Sequence, residues 1–425
     1  MNIYRESQSR NGLTKEQIRR TLWQGLEGRK LNKVLMISPD FTRLHSNGGF
    51  ITNACYHFLR AQGCQVEVLI AQGTHEDISE EQFREMYGDI PYDMMIPHRW
   101  REDTVVIGEV PEEYLKEITG GLWTQSLAVE VNRKVLDPSY DLILSVGQVV
   151  PHEVIGMANH SKNIFVGVGG RQIINKSHML GAVLGLEQIM GKDHSPVRQA
   201  FDYALKHFLK EVPLVFVLTV TTADGEEICT HGLYIGDERA VLEEAIAKSQ
   251  EKNIRFLDKE IQKCVVYLDP REFQSTWVGN KAVYRTRMAM ADGGELLILA
   301  PGVHCFGEDK TNDEIIRRYG YCGRKRVLEL FEREELLKEN MGAAAHLIHG
   351  SSDGRFTVTY AVKEISKEEI ESVYFQAVDY DEAVRRYDVS RLKEGGGIGW
   401  RTEKRSILSV IRRWAFGLQK KLDLE

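Results

Sequence analysis

Short apolar runs alternate with amphipathic stretches along the first half of the chain, which is typical of the strands and helices of a parallel α/β sheet. Residues 33–37, 65–70 and 141–146 are predicted strands, and a helix is predicted over residues 51–60 between the first two. An earlier helix is predicted to begin at Thr14, which opens a capping-box pattern. The sequence therefore predicts a βαβ unit followed by a third strand.

The second half of the chain shows the same alternation. Its predicted elements are a hairpin of strands 214–221 and 226–233 around Asp224-Gly225, a helix over 237–250, a strand over 264–268, a helix over 281–290, and a strand over 295–300 after a Gly293-Gly294 turn. These elements are enough for a second, smaller α/β alternation.

We predict two α/β domains with mostly parallel sheets and an active site in the interdomain cleft. Residues 1–255 form the N-terminal domain with the cofactor and acid/base residues, and residues 256–400 form the smaller C-terminal domain, which contributes to substrate binding. Residues 401–425 are predicted to form a terminal helix that packs back on the N-terminal domain; a helix on a membrane surface is the alternative. The apolar positions at helical spacing are Ile407, Ile411, Trp414 and Leu418.

Composition narrows the class of protein. Of the 425 residues, 42% are hydrophobic and 28% are charged, which is enough apolar material for a folded core. A net charge of -7 is opposite to what phosphate-backbone binding needs, so nucleic acid is not expected as a partner. Residues 1–30 lack an apolar secretion segment, and no apolar run is long enough for a membrane span. The six cysteines never form C-x-x-C, so we expect a cytoplasmic protein.

Polar residues that can carry chemistry follow each of the first three predicted strands. The carboxyl ends of parallel strands meet at one edge of a sheet, where ligands bind in open α/β folds. We therefore expect these residues to converge on one crevice. The three loops read Asp40-Phe41-Thr42-Arg43, Gly73-Thr74-His75 and Pro151-His152.

Two histidines in these loops are candidates for proton transfer. His75 and His152 can take and give protons at neutral pH, and a facing pair can serve opposite faces of one carbon. The alternative is that each ring only hydrogen-bonds a nearby carbonyl group. Arg43 and the free amides beside Asp40 are suited to a phosphate, whereas the alternative there is a helix-capping aspartate next to an exposed arginine. The glycine-rich run 166–170 does not open the first βα turn, so NAD is not predicted.

The order and spacing of these loops resemble the nickel-dependent lactate racemase family, whose members carry a nickel-pincer nucleotide. That family has a D-x-T-R loop, a G-x-H loop and a P-H loop, then a lysine and a nickel-binding histidine at fixed offsets. In this chain Lys162 follows His152 by ten residues, and His178 follows Lys162 by sixteen, as in the family.

The resemblance implies an isomerase that racemises or epimerises a 2-hydroxycarboxylic acid by proton-coupled hydride transfer to and from its cofactor. The cofactor is the Ni(II)-pyridinium-3,5-bisthiocarboxylate mononucleotide, attached covalently at Lys162, with His178 as the protein's nickel ligand. His75 and His152 are the implied acid/base pair. The implied nucleotide-binding residues are Asp40, Phe41, Thr42 and Arg43.

By the same resemblance, Lys281, with help from Arg43, anchors the substrate carboxylate. The implied partners are the small-molecule 2-hydroxy acid and the cofactor-synthesis enzymes that load the protein. Two positions depart from lactate racemase in the second domain: Val278 stands where that enzyme has glutamine, and Met341 stands near its tryptophan. These departures favour a 2-hydroxy acid other than lactate.

A third departure lies just before the lysine. The family's S-G-G-R-K run reads Ala158-Asn159-His160-Ser161-Lys162 here, and His160 is expected beside the site or on the surface. Two other functions stay open from the residues alone. One is a zinc-type hydrolase or lyase that uses His75, His152 and His178 as ligands with Asp40 positioning water, and the other is a non-catalytic metal or nucleotide sensor.

Overall fold

The computed structural model describes residues 2–75, 77–224, 227–389, 406–411 and 417–420. The chain forms two compact units, and each is described by itself below. The first comprises residues 1–177 and 191–253, and the second comprises residues 178–190 and 254–425. The chain passes between the units three times, whereas the sequence predicted continuous ranges with one crossing near residue 255. None of the described helices is long and apolar enough to cross a membrane.

The described residues of the first unit contain eleven strands and seven α-helices, counting a helix that begins in this unit and ends in the second. The strands are β1 (Ile3–Glu6), β2 (Lys33–Pro39), β3 (Gln65–Ala71), β4 (Met95–Ile96), β5 (Thr104–Val110), β6 (Leu127–Asn132), β7 (Leu142–Gln148), β8 (Pro151–His152), β9 (Gly156–Met157), β10 (Leu214–Asp224) and β11 (Glu227–Gly236). The helices are α1 (Lys15–Leu26), α2 (Gly48–Ala61), α3 (Glu80–Tyr87), α4 (Glu112–Ile118), α5 (Arg171–Leu184), α6 (Pro196–Phe208) and α7 (Arg239–Asn253). The predicted capping box at Thr14 is confirmed, since its side chain accepts from the Gln17 amide.

A seven-stranded sheet, in the order β1-β11-β10-β7-β2-β3-β4, organises this unit. Strands β10, β7, β2, β3 and β4 are parallel to one another, whereas β11 runs antiparallel to β10 and β1. From β2 the chain builds outward through β3 to β4 and then returns to place β7 on the other side of β2. This reversal is a topological switch point, and open α/β sheets bind ligands at the carboxyl ends of the strands there.

The central strands are buried on both faces, as parallel strands covered by helices must be. Six of the seven residues of β2 are buried. Val34 and Met36 face one core with Leu22 of α1 and Leu59 of α2, while Leu35 and Ile37 point to the opposite face and are equally inaccessible. The apolar runs of the sequence thus correspond to strands that have no solvent face.

The second unit contains a five-stranded, entirely parallel sheet. The strands of this unit are β12 (Ile254–Leu257), β13 (Ile261–Leu268), β14 (Met290–Leu299), β15 (Thr357–Val362), β16 (Gln376–Asp379), β17 (Ser406–Ile411) and β18 (Gly417–Lys420). Strands β13 to β17 form the five-stranded sheet, and β12 and β18 form a separate pair. Its helices after α5 are α8 (Thr276–Gly279), α9 (Lys281–Thr286), α10 (Lys310–Tyr319), α11 (Arg324–Arg333), α12 (Glu335–Glu339), α13 (Met341–His349), α14 (Lys367–Ser372) and α15 (Tyr380–Arg386). The predicted α/β class with mostly parallel sheets is confirmed.

Two predicted elements of the second unit are wrong. The predicted terminal helix is replaced by β17 and β18, because the backbone of residues 406–411 pairs with the edge of β13, and apolar spacing alone does not fix a helix when an unpaired strand edge is available. Trp414 lies outside the described residues. The Gly293-Gly294 turn lies inside β14, where the register shifts and Gly293 adopts φ +73°, as in a β-bulge.

Gly147 of β7 leaves room for the segment that precedes Lys162. A Cβ atom at Gly147 would lie 1.8 Å from Nδ2 of Asn159. We expect Gly147→Ala to lower the free energy of unfolding by about 1–3 kcal/mol through this overlap, measured by urea denaturation. Adding Asn159→Gly should restore stability.

A matched control is Gly25→Ala in α1, where the nearest atom to the new Cβ would be 3.2 Å away on the Ile235 side chain. This variant should be neutral or stabilising, because alanine is favoured in a helix interior. Equal losses of stability in both variants would contradict the specific overlap.

Candidate functional site

The three loops predicted to converge follow adjacent parallel strands of the first unit. Asp40 follows β2, His75 follows β3, and His152 forms the short strand β8 after β7. Strand β2 lies between β7 and β3 in the sheet, so the loops leave the same edge at the switch point. The parallel alignment therefore explains why polar residues distant in sequence become neighbours.

Asp40 and His75 are in direct contact. Oδ2 of Asp40 accepts a hydrogen bond from Nδ1 of His75, and Oδ1 accepts one of 2.6 Å from the Thr42 hydroxyl. A carboxylate can only accept here, so His75 carries its proton on Nδ1 and Nε2 is the nitrogen left for proton transfer. The Asp40 side chain makes no capping bond to the following 3₁₀ helix, Phe41–Ser46. The capping alternative for Asp40 is therefore wrong.

Asp40 is only 5% exposed, and its charge depends on these neighbours. Burial raises the pKa of Asp40, but the hydrogen bond and charge of His75, the charge of Arg43 and the Thr42 hydroxyl together lower the pKa below its ordinary value. The ionised carboxylate therefore stabilises the fold above the unfolded-state pKa, and this contribution is lost as the pH falls through the folded-state pKa.

The other two residues of the D-x-T-R loop point to different surroundings. The Phe41 ring packs against the core of the first unit and is partly buried, which is sufficient reason for an aromatic residue there. The Arg43 side chain is exposed, and its backbone N–H donates to the Asp40 carbonyl at 3.0 Å. Binding of a phosphate or nucleotide by this loop stays a prediction.

His152 has the opposite tautomer to His75. The backbone N–H of Val154 donates to its Nδ1 at 3.1 Å, so this nitrogen is an acceptor and the neutral ring carries its proton on Nε2. The side chain is 12% exposed, and Oε2 of Glu153 lies 3.8 Å from the same Nδ1. The two histidines thus present an acceptor Nε2 from His75 and a donor Nε2 from His152.

Lys162 is partly buried immediately before a π-helical stretch, Asn163–Gly167. Burial lowers the pKa of Lys162 to about 8, with Arg43 and Arg198 acting in the same direction and Glu153 and Asp40 opposing. The carbonyl of Gly167 accepts a 2.9 Å hydrogen bond from the backbone N–H of Gly73, which ties the π-helical stretch to the G-T-H loop. A larger fraction of this amine is neutral near pH 7 than for an ordinary lysine, as a nucleophilic lysine requires.

His160 is not on the surface. Its ring is 1% exposed and stacks on Phe216 with ring centroids 3.8 Å apart. Burial, followed by the charges of Arg198 and Arg239, lowers the pKa of His160 well below its ordinary value, so the ring is neutral. The expectation of a surface position is therefore wrong.

The remaining predicted residues belong to the second unit. His178 lies in α5 and is partly buried, and Lys281 begins α9 with Nζ 5.9 Å from the centroid of the Phe273 ring. The first turn of α5 is capped by Glu130, whose Oε2 accepts from the amides of Gln172 at 2.7 Å and Ile173 at 3.1 Å. This buried cap fixes the start of the helix that carries His178.

The sequence reasoning missed Glu153, Arg198 and Glu130. Glu153 adjoins the P-H pair, and an acidic residue beside a candidate acid/base histidine was a signal that could have been used. Arg198 and Glu130 carry no local signal, because their partners are distant in sequence.

A zinc ion held by protein side chains alone would need at least three ligands close together. Within those residues, no group of three or more His, Cys, Asp or Glu side chains is placed to hold one metal ion. The zinc alternative, which needs three protein ligands, is not supported by this arrangement.

The opposite tautomers can be tested directly. With ring-¹⁵N-labelled histidine in the cofactor-free protein, above the pH at which the rings are protonated, His75 should show a protonated Nδ1 and His152 a protonated Nε2. Asp40→Asn should convert the His75 signal to a mixture of tautomers, because an amide side chain can donate as well as accept. His152 is the internal control and should not change. A protonated Nε2 on His75 in the wild-type protein would contradict the assignment.

Comparisons with known proteins show a related family and a shared fold. Residues 5–189 match the family profile for the lactate racemase N-terminal domain. A solved structure of a protein from Thermotoga maritima matches with a TM-score of 0.80 and 23% identity, covering 98% of this chain and 100% of that chain. The lactate racemase apoprotein from Thermoanaerobacterium thermosaccharolyticum matches with a TM-score of 0.69 and 15% identity, covering 96% of this chain and 93% of that one.

At these identities the solved structures show a shared fold. No protein of curated function matches the sequence. The profile match covers the three strand-end loops, Lys162 and His178. Residues 5–189 are therefore similar to the lactate racemase N-terminal domain, which confirms the family resemblance inferred from the order and spacing of these residues.

Proposed function

We propose that the protein is a racemase or epimerase of a 2-hydroxycarboxylic acid, with His75 and His152 as its acid/base pair and Lys162 as the attachment point of a nickel-pincer nucleotide. One observation carries the proposal. Asp40, whose carboxylate bonds the ring of His75, is also one of the charged groups that act on the pKa of Lys162. Inversion of a carbinol centre needs one group to take the hydroxyl proton and another to return it. Two histidines, one with an acceptor Nε2 and one with a donor Nε2, suit that need.

The two rings exchange protons with the substrate in opposite senses. In one direction Nε2 of the neutral His75 ring accepts the hydroxyl proton, and the Asp40 carboxylate stabilises the positive ring that results. His152 protonates the substrate oxygen from the other side when the centre is re-formed, and for this step its ring is the cation, so that loss of the Nε2 proton leaves a neutral imidazole. In the reverse direction the neutral His152 ring accepts the hydroxyl proton and the His75 cation returns one. Asp40 therefore orients His75, and its predicted role in binding the nucleotide stays a prediction.

The residues present fit the implied cofactor. Lys162 offers a partly neutral amine for a covalent link, and exposed Arg43 offers a cation within electrostatic reach of that amine. His178 would supply the one protein ligand that a nickel ion with its own carbon and sulfur donors still needs, and it must be neutral to bind. When bound, the group supplies a reversible acceptor for the hydride of the carbinol carbon.

The substrate carboxylate is assigned to Lys281, with help from Arg43. Lysine and arginine both form charge-assisted hydrogen bonds with a carboxylate, and fixing that end of the substrate holds its carbinol carbon in place while the proton moves. Cofactor-synthesis enzymes are the implied partners for loading. The location of the site in an interdomain cleft stays a prediction.

Attachment and nickel binding can be separated by two variants. The protein should be made alongside the cofactor-synthesis enzymes and examined by intact mass and nickel analysis. Lys162→Ala should lose the covalent mass adduct, because the amine that forms the link is gone. His178→Ala should keep the adduct but lose most of its nickel, because only a metal ligand has been removed.

Lys176→Ala is the matched control, since Lys176 lies in the same helix as His178 and donates to the Ser126 carbonyl at 3.0 Å. It should keep both adduct and nickel. An unchanged adduct in Lys162→Ala would overturn the attachment, and stoichiometric nickel in His178→Ala would overturn the ligand.

The substrate is proposed to be a 2-hydroxy acid larger or more polar than lactate. Val278 lies in α8 and Met341 begins α13, and both side chains are partly exposed. An aliphatic group in place of an amide removes a hydrogen-bonding partner, and a thioether in place of an indole leaves room for a longer side chain.

A panel of D-2-hydroxy acids, assayed for loss of optical rotation with the loaded enzyme, tests this proposal. Longer acids should exceed lactate in kcat/KM by about tenfold, the usual effect of one or two methylene groups in a fitted pocket. Val278→Gln with Met341→Trp should shift the preference toward lactate. Lactate as the best substrate of the wild-type enzyme would contradict this proposal.

A further inference from the structure

Arg198 of α6 forms hydrogen bonds with residues 157–161, the segment that precedes Lys162, and this set of bonds is called the clamp below. Its guanidinium donates to the Met157 carbonyl at 2.6 Å, to the Asn159 carbonyl at 3.1 Å and to the Ser161 hydroxyl at 2.7 Å. The side chain is 1% exposed, so these bonds form away from bulk water. One planar group therefore fixes three points on a segment of five residues.

The segment needs such a restraint because its backbone is strained. Asn159 and His160 adopt φ of 69° and 57°, a left-handed conformation that costs energy for residues with a side chain. Asparagine tolerates this conformation, but histidine gains nothing locally from it. Neither ring nitrogen of His160 has a hydrogen-bond partner among the described residues. Polar bonds of the His160 side chain thus contribute nothing to holding the turn, whereas Arg198 bonds a backbone carbonyl before the turn, one within it and the Ser161 hydroxyl after it.

Ser161, immediately before Lys162, joins the guanidinium to a further set of polar side chains. The Ser161 hydroxyl accepts from Arg198 and donates to Oδ1 of Asp202 at 2.9 Å, and Oδ2 of Asp202 accepts from Arg239 at 3.0 Å. Arg239 also pairs with Asp193. The bonds of Arg198 are therefore one end of a hydrogen-bonded network that extends across α6 and α7.

We propose that Arg198, acting through Ser161 and the carbonyls of residues 157 and 159, is a positioning residue that holds Lys162 in place for covalent attachment. This inference rests on the proposed function in taking Lys162 as the attachment point. Arg198 itself touches no reacting atom. Its effect on the amine is geometric, through the turn, and electrostatic, through its buried positive charge.

Four charged side chains act on the Lys162 amine. Arg43 and Arg198 disfavour its protonated form, and Glu153 and Asp40 favour it, with burial as the largest influence. Loss of the Arg198 cation, and any loosening of the turn that hydrates the amine, both raise the pKa of Lys162. The two consequences of removing the clamp therefore have the same sign.

The test measures Lys162 in the cofactor-free, full-length protein. Competitive labelling with acetic anhydride between pH 6 and 10, read by peptide mass spectrometry, gives the titration midpoint of this one amine. The wild-type midpoint is expected near the pKa of about 8. Arg198→Met should raise it and slow labelling at pH 7 by about threefold to tenfold, the effect of half to one pKa unit. Amide hydrogen exchange over residues 157–163 should become faster.

A conservative variant separates charge from geometry. Arg198→Lys keeps a cation but not the planar fork, so the Lys162 midpoint should lie between those of wild type and Arg198→Met, while exchange over residues 157–163 stays fast. Arg287→Met is the matched control, because Arg287 is also buried and donates to the Glu187 carboxylate, in the second unit. It should lower stability without changing either readout.

If Arg198→Met does not fold, Ser161→Ala serves instead, because it removes only the hydroxyl that joins Arg198 to Asp202. Faster exchange and a raised midpoint in Ser161→Ala support the clamp. An unchanged midpoint and unchanged exchange in a folded Arg198→Met, or in Ser161→Ala, overturn it. These readouts need no cofactor, so an adduct that survives Lys162→Ala would overturn the proposed function and leave them unaffected.

Discussion

A carboxylate buried at the end of a strand must be paired, and the candidate site is built around the pairing of Asp40. Its two oxygens are taken by His75 and Thr42, and the partners keep it ionised despite burial. The contact requires β2 and β3 to end side by side at one edge of the sheet. Their parallel register provides this, because it pairs Pro39 with Ala71, the last residues of the two strands. The sheet, the ionised carboxylate and the tautomer of His75 are therefore consequences of one arrangement.

The segment before Lys162 shows how a strained backbone is retained beside such a site. Two consecutive left-handed residues are held by packing on one side and by hydrogen bonds on the other: Asn159 fills the space that Gly147 leaves, and Arg198 bonds the carbonyls. Strain of this kind costs about 1–3 kcal/mol per residue and persists only where the surroundings over-determine the conformation. The strained segment leads into Lys162, whose amine is partly neutral because burial among charges of both signs lowers its pKa.

The second unit supports its own candidate residues with a buried polar network. The ring of His346 in α13 is bonded at Nδ1 to the Tyr284 hydroxyl at 2.8 Å and at Nε2 to the Tyr321 hydroxyl at 3.0 Å, and it stacks on Trp277 with centroids 3.9 Å apart. These bonds join α13, which begins at Met341, to α9, which begins at Lys281. A fully engaged network of this kind rigidifies the helices that carry it.

The sequence by itself determined the strands β2, β3, β7, β10 and β11 of the first sheet and β13 and β14 of the second, the loops that follow β2, β3 and β7, and the offsets that join His152, Lys162 and His178. Apolar runs and motif spacings are local properties, so they can be read without knowing what packs against them. Only the tertiary structure decided that Asp40 pairs with His75, that His160 is buried, that Arg198 holds the tethering segment and that residues 406–411 are a strand. Each of these depends on a partner distant along the chain, an open strand edge or a desolvated pocket, and local sequence carries no record of such partners.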